Sequence, residues 1–131
     1  MNVLSKEVLV VALGGALGSV CRFLLSRWVQ ILIPYENLPW GIIVVNVLGC
    51  FGIGVLYALF SYYLMINPLW RVGLMIGILG GFTTFSSFTL DTFYLFEKGS
   101  ALFALLNVLI SLIACLSATG FGIWITRALH S

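Results

Sequence analysis

Charge is the scarcest property of this sequence. Six Lys and Arg, four Asp and Glu and one His are spread over 131 residues, so 8% of positions are charged while 62% are hydrophobic. Soluble domains carry about a quarter charged residues, and a chain this poor in polar surface does not coat a water-facing globule. Proline is almost missing too: Pro34, Pro39 and Pro68 are the three present, and none interrupts a long apolar run. The three cysteines, Cys21, Cys50 and Cys115, share no metal-like spacing and read as small apolar packing residues. His130 stands alone at the tail and reads as a solvated surface group. With no His, Cys or carboxylate cluster, and no nucleophile beside a base, the sequence argues against an enzyme.

What the chain has instead is length of apolar sequence. A bilayer-spanning helix needs roughly 20 apolar residues, and four such stretches can be laid out, approximately Val8 to Ile33, Trp40 to Met65, Val72 to Phe96 and Ala101 to Ala128. The connections are short and punctuated by proline or glycine: Pro34-Tyr35-Glu36-Asn37-Leu38-Pro39, Asn67-Pro68-Leu69 and Glu97-Lys98-Gly99-Ser100. This layout predicts an all-α integral membrane protein, residues 1–131 forming a single four-helix transmembrane domain. Lys6 ahead of an apolar run imitates a secretory leader, but Arg22 and Arg27 and three further spans argue against cleavage. Both termini and the second connection share one side, with Lys6, Arg71 and Arg127, against Arg27 and Lys98 on the other. A fixed topology normally shows a clear excess of Lys and Arg on the cytoplasmic side. The near balance is compatible with insertion in both orientations, and equally with short loops that carry few charges.

Polar groups at membrane depth are costly and therefore informative. Gly80-Gly81-Phe82-Thr83-Thr84-Phe85-Ser86-Ser87-Phe88 places paired glycines and a run of hydroxyls in mid-span. Adjacent glycines weaken helix continuity, and a break there leaves carbonyl oxygens that suit a hard cation such as sodium. Gly14 and Gly18, and Gly73, Gly77 and Gly81, form small-residue rows that let helices approach closely. Arg22 lies deep in the first span and either faces a cavity or snorkels to the headgroups. Asn46 interrupts an apolar run and must find hydrogen-bond partners, within the bundle or at a pore. Asn107, Ser111, Cys115 and Thr119 recur every four residues and make a stripe on one helix face. Asp91 is the one deep carboxylate. Phe85 and Phe88 stand one turn apart among hydroxyls; ordinary packing is one reading. The other is that their positive ring edges, with neutral donors, hold a small hydrated anion without trapping it.

Three ordered motifs, Gly14-Gly15-x-x-Gly18-x-x-x-Arg22, Gly41-x-x-x-Val45-Asn46-x-x-Gly49 and Gly80-Gly81-Phe82-Thr83-Thr84-Phe85-Ser86-Ser87-Phe88, resemble the Fluc (CrcB) fluoride channels along nearly the whole chain. The resemblance implies an antiparallel, dual-topology homodimer in the cytoplasmic (inner) membrane, exporting fluoride passively through two pores. It implies that Phe85, Phe88, Asn46, Ser111, Thr84, Ser87, Asn107 and Cys115 belong to the fluoride path. Arg22 and Asp91 fall in its vestibules. Carbonyls of Gly81 and Thr84, at a break in the third helix, are implied to hold a structural sodium ion. No organic cofactor and no nucleic acid is implied; the partners are a second copy, fluoride and lipid. Two departures stand out: Asn107 occupies a position where some relatives have tyrosine, and Cys115 one where some have serine. Two other classes compete with this reading. A proton-coupled small exporter of cations would need an embedded carboxylate, for which Asp91 is the only deep candidate, and a non-conducting membrane subunit would use every polar group as helix glue.

Overall fold

Local signals place the helix ends. Asn2 caps the first helix by accepting the Ser5 N–H on its side chain at 2.7 Å, and α1 (Val3–Leu32) then runs unbroken until Pro34 forbids continuation. Helix α2 (Trp40–Ala58) starts directly after Pro39 and winds on through a wider π turn, Leu59–Tyr63. Asn67 accepts the Leu69 N–H at 3.0 Å and Pro68 takes the first helical position, a pairing that starts α3 (residues 68–82). Helix α4 (Phe85–Glu97) follows in the same span, and α5 (Ala101–His130) closes the chain. Between α4 and α5 Gly99 adopts φ 88°, and Ser100 and Gly99 return N–H bonds to Leu95 (2.9 Å) and Phe96 (3.1 Å). This is the left-handed glycine cap that satisfies the last carbonyls of a helix. The computed structural model describes residues 1–34 and 36–131; Tyr35, in the first connection, lies outside the described residues.

Among the described residues, four helical segments are long and apolar enough to cross a membrane: Val3–Leu32, Trp40–Tyr63, Pro68–Glu97 and Ala101–His130. Helix α2 packs along α5, and α1 packs along α3. The α1–α3 seam is built from the glycine rows. A Cβ at Gly14 would lie 2.7 Å from the Gly73 carbonyl oxygen and 3.1 Å from the Gly77 Cα. One at Gly18 would overlap the Ile78 carbonyl, and one at Gly81 would lie 2.6 Å from the Gly15 oxygen. Such backbone-to-backbone approach is the membrane substitute for a hydrophobic driving force. Within α3, Val72–Leu79 is wound as a π-helix, an uncommon form that concentrates near functional sites. At most 28% of each spanning window is buried within the chain, so much of the helix surface is left uncovered by it.

The seam predicts a sharp positional contrast. Gly18→Ala should lower unfolding stability in detergent by ~1–3 kcal/mol through overpacking. Gly120→Ala, where a new Cβ would meet nothing within 4 Å, should leave it unchanged in the same urea titration.

Candidate functional site

The third span breaks at Thr83 and Thr84, which are extended (φ −85°, ψ 156° and φ −148°, ψ 121°) between two helical segments. Three local causes converge. Gly80 and Gly81 are poor helix formers, the two threonines are β-branched, and the Thr84 hydroxyl caps α4 by accepting the Ser87 N–H at 3.1 Å. Breaking a helix inside lipid strands backbone groups, and here Asn46 of α2 takes them up. Its Oδ1 accepts the Thr84 N–H at 2.8 Å and its Nδ2 donates to the Thr84 carbonyl at 2.9 Å. The amide thus pairs with Thr84 as a neighbouring strand's peptide would. Thr83 holds the other side, its N–H and its hydroxyl both donating to the Leu79 carbonyl at 3.0 Å. Gly49, one turn below Asn46, leaves room for the Thr83 methyl, which a Cβ there would overlap.

Beside the break lies a groove of about 230 Å³ lined by Asn46, Cys50, Thr83, Thr84, Phe85, Phe88, Ser111, Leu112 and Cys115. Three spans contribute to it, and no Lys, Arg, Asp or Glu among the described residues lines it. The Phe85 and Phe88 rings lie 5.4 Å apart, centroid to centroid, tilted by 45°. Phe88 is buried, whereas Phe85 is 72% exposed on the outer lip. Hydrogen-bond accounting narrows the donors facing the groove. The Thr83 hydroxyl is committed to Leu79, and that of Thr84 to Ser87 at 3.2 Å. Asn46 has spent one of its two amide protons on Thr84. Ser111 donates to Asn107 Oδ1 at a long 3.5 Å. One amide N–H and one loosely held hydroxyl are therefore available, next to two aromatic rings.

Of the residues singled out from sequence, Asn46, Thr84, Phe85, Phe88, Ser111 and Cys115 meet in this groove. Ser87 lies behind it, bonded to Thr84. Asn107 is fully buried and donates to the Thr92 hydroxyl at 2.9 Å, which in turn donates to the Phe88 carbonyl at 2.8 Å. The α5 stripe is thereby tied to the backbone that carries Phe88. Arg22 turns inward, its Nη1 3.4 Å from the Thr83 carbonyl, and Asp91 stands on α4 off the groove wall. Gly81 faces α1, and among the described residues its carbonyl oxygen has only the Ser19 hydroxyl at 3.5 Å.

The break offers oxygen ligands of the kind a hard monovalent cation requires. Gly81 has that single long contact, and Thr84 uses one of its carbonyl's two lone pairs on Asn46. Gly80 has lost its regular helical donor, because the Thr84 N–H turns to Asn46. The donor set fits sodium in type, and one chain alone supplies too few oxygens to enclose it. Sequence reasoning passed over Cys50, Leu112 and Thr92. Cys50 and Thr92 were within reach of the four-residue helix period, being one turn from Asn46 and from Phe88 respectively.

Known proteins resemble this chain along nearly its whole length. The family model described as "CrcB-like protein, Camphor Resistance (CrcB)" matches residues 9–123. A protein named fluoride-specific ion channel FluC from Citrifermentans bemidjiense is 42% identical over 124 residues, 95% of this chain and 99% of that relative. A protein of the same name from Geotalea uraniireducens is 43% identical over 124 residues, with 95% and 99% covered. Another from Leptospira interrogans is 37% identical over 123 residues, with 94% and 96% covered. Matched along nearly its full length by the family model and by these relatives, the chain belongs to the CrcB family.

Proposed function

We propose that this chain is a passive, fluoride-selective ion channel. The observation that carries the reading is the uncharged groove in which two phenylalanine rings, one amide N–H and one hydroxyl converge, in a chain whose relatives are named for fluoride conduction. Conduction requires binding strong enough to replace hydration and weak enough to release. A lysine or arginine in the path would trap a small anion. Neutral donors and the positive edges of the Phe85 and Phe88 rings stabilise fluoride without that cost. The chain is a multi-pass membrane protein, and conduction makes or breaks no covalent bond, so it is not an enzyme. Fluoride enters cells as neutral hydrofluoric acid and dissociates inside. A fluoride pore in the cytoplasmic membrane lets the anion leave down the interior-negative potential.

The groove is open along one side, and Phe85 stands on its lip. A second copy of the chain completes the wall in our reading. Near-equal basic charge on the two sides of the membrane supports a partner of opposite orientation, giving an antiparallel homodimer with two pores. The same pairing brings two sets of break carbonyls together, so that Gly81 and Thr84 of both copies hold a structural sodium ion. When bound, that ion supplies a fixed positive charge at the interface and neutralises carbonyl oxygens that lipid leaves without donors.

Proteoliposomes test the reading directly. Fluoride release read by electrode after valinomycin frees the potassium counter-ion should be rapid, with chloride retained; release no faster than from empty vesicles would refute it. Phe85→Ile and Phe88→Ile each remove a ring edge while keeping apolar bulk. Each should slow fluoride release at least about tenfold, the equivalent of about 1.4 kcal/mol, in protein of unchanged elution profile. Asn46→Leu should do more, because it leaves the Thr84 N–H and carbonyl unpaired at a cost of ~1–3 kcal/mol per group. Its signature is a lowered thermal midpoint in detergent together with lost flux.

A further inference from the structure

The groove wall also carries a pair of thiols that has no role, as a pair, in fluoride passage. Cys50 follows Asn46 by one helical turn on α2, and Cys115 follows Ser111 by one turn on α5, so both occupy lining faces and both line the groove. The two helices nearly touch beside them. A Cβ on Gly122 would lie 2.5 Å from the Phe51 carbonyl oxygen, and one on Gly54 would overlap the Thr119 carbonyl. The Thr119 hydroxyl donates to the Cys50 carbonyl at 3.1 Å and fixes the register. This close crossing sets Cys50 and Cys115 on the same groove wall; both are free thiols, half-buried.

We propose that Cys50 and Cys115 form a two-thiol site for a thiophilic, closed-shell cation such as Hg²⁺, and that its occupation closes the groove to fluoride. The binding itself is independent of the channel reading, and the closure rests on it. Soft sulfur ligands select soft cations. No group of three or more His, Cys, Asp or Glu gathers among the described residues, so tetrahedral zinc is not served, whereas an ion satisfied by two sulfurs is. Each thiol gives its proton to water as its sulfur–mercury bond forms. One Hg²⁺ and two thiols thus yield a neutral bis-thiolate and two protons, with no oxidant or reductant. Neutrality suits a site at membrane depth, where net charge is costly. Phe85, Phe88, Ser111 and Asn46 share the wall, so a heavy ion bound there stands where the anion passes.

The test uses the full chain with Cys21→Ser, which removes the exposed third thiol on α1, and mercuric chloride as the probe. Intact mass and thiol titration in detergent should give one mercury per chain with both thiols lost together. Cys50→Ser, Cys115→Ser and the matching alanine variants should release mercury to a competing monothiol about a hundredfold more readily, since the second sulfur no longer acts at high effective concentration. In proteoliposomes the two-thiol protein should lose fluoride release on mercury and regain it with dithiothreitol, while each single-thiol variant, scored against its own release before mercury, should need correspondingly more mercury. One mercury on each thiol, or equal retention by the single-thiol variants, overturns the site. Pairwise binding with undiminished fluoride release overturns the closure and keeps the site. Protein that passes no fluoride before mercury counts against the channel reading, and the stoichiometry still decides the thiol pair.

Discussion

A peptide group in lipid has no water to fall back on, and the break at Thr83–Thr84 is where this chain confronts that constraint. The third span forfeits helical bonds there, and the Asn46 amide restores two of them to Thr84 at 2.8 and 2.9 Å. That pairing organises the backbone around the break. It fixes α2 against the break and starts α4 at Phe85, which sets the angle at which Phe85 and Phe88 meet the groove. It also turns the Thr84 N–H away from Gly80, which is why carbonyl oxygens become available at that depth.

Around this point the bundle is held by shape rather than by attraction between charges. Glycines at 14, 18, 77 and 81 bring α1 and α3 to backbone contact, and Gly49 makes space for Thr83 on the opposite side. The polar stripe of α5 divides its work along its length. Asn107 is anchored through Thr92 to the Phe88 carbonyl, Ser111 and Cys115 face the groove, and Thr119 ties α5 to α2 at Cys50. A row of residues at one spacing thus contains both lining and fastening, and hydrogen-bond partners on other helices mark the fasteners.

Helix positions were legible in the sequence because hydropathy, proline and glycine all mark the same boundaries. Asn67-Pro68 and Gly99 alone nearly determine two of the turns. The break was legible as well, since paired glycines ahead of paired threonines are a poor helix sequence. The division of labour among polar residues was not. Nothing in Asn46 as a letter tells a pore donor from a backbone clamp, and the structure assigns it one amide proton for Thr84 and one left over. Ser87 and Asn107 belonged to the same motifs as the groove residues, yet neither lines the groove; each instead supports a residue that does, Ser87 through Thr84 and Asn107 through Ser111. That distinction depends on contacts between residues far apart in the chain, such as the 38 positions separating Asn46 from Thr84. Periodicity within one helix carries no information about them.

The clamp has a bearing on biogenesis. A span broken at mid-depth is a poor substrate for membrane insertion, because its two unpaired peptide groups must enter hydrocarbon. In this chain the partner is made first. Helix α2, carrying Asn46, precedes the broken span along the chain. Each segment arrives with a deficit that the other cancels, an amide without partners and a peptide without partners. The second and third spans are therefore complementary in hydrocarbon, each lowering the cost of the other's polar groups.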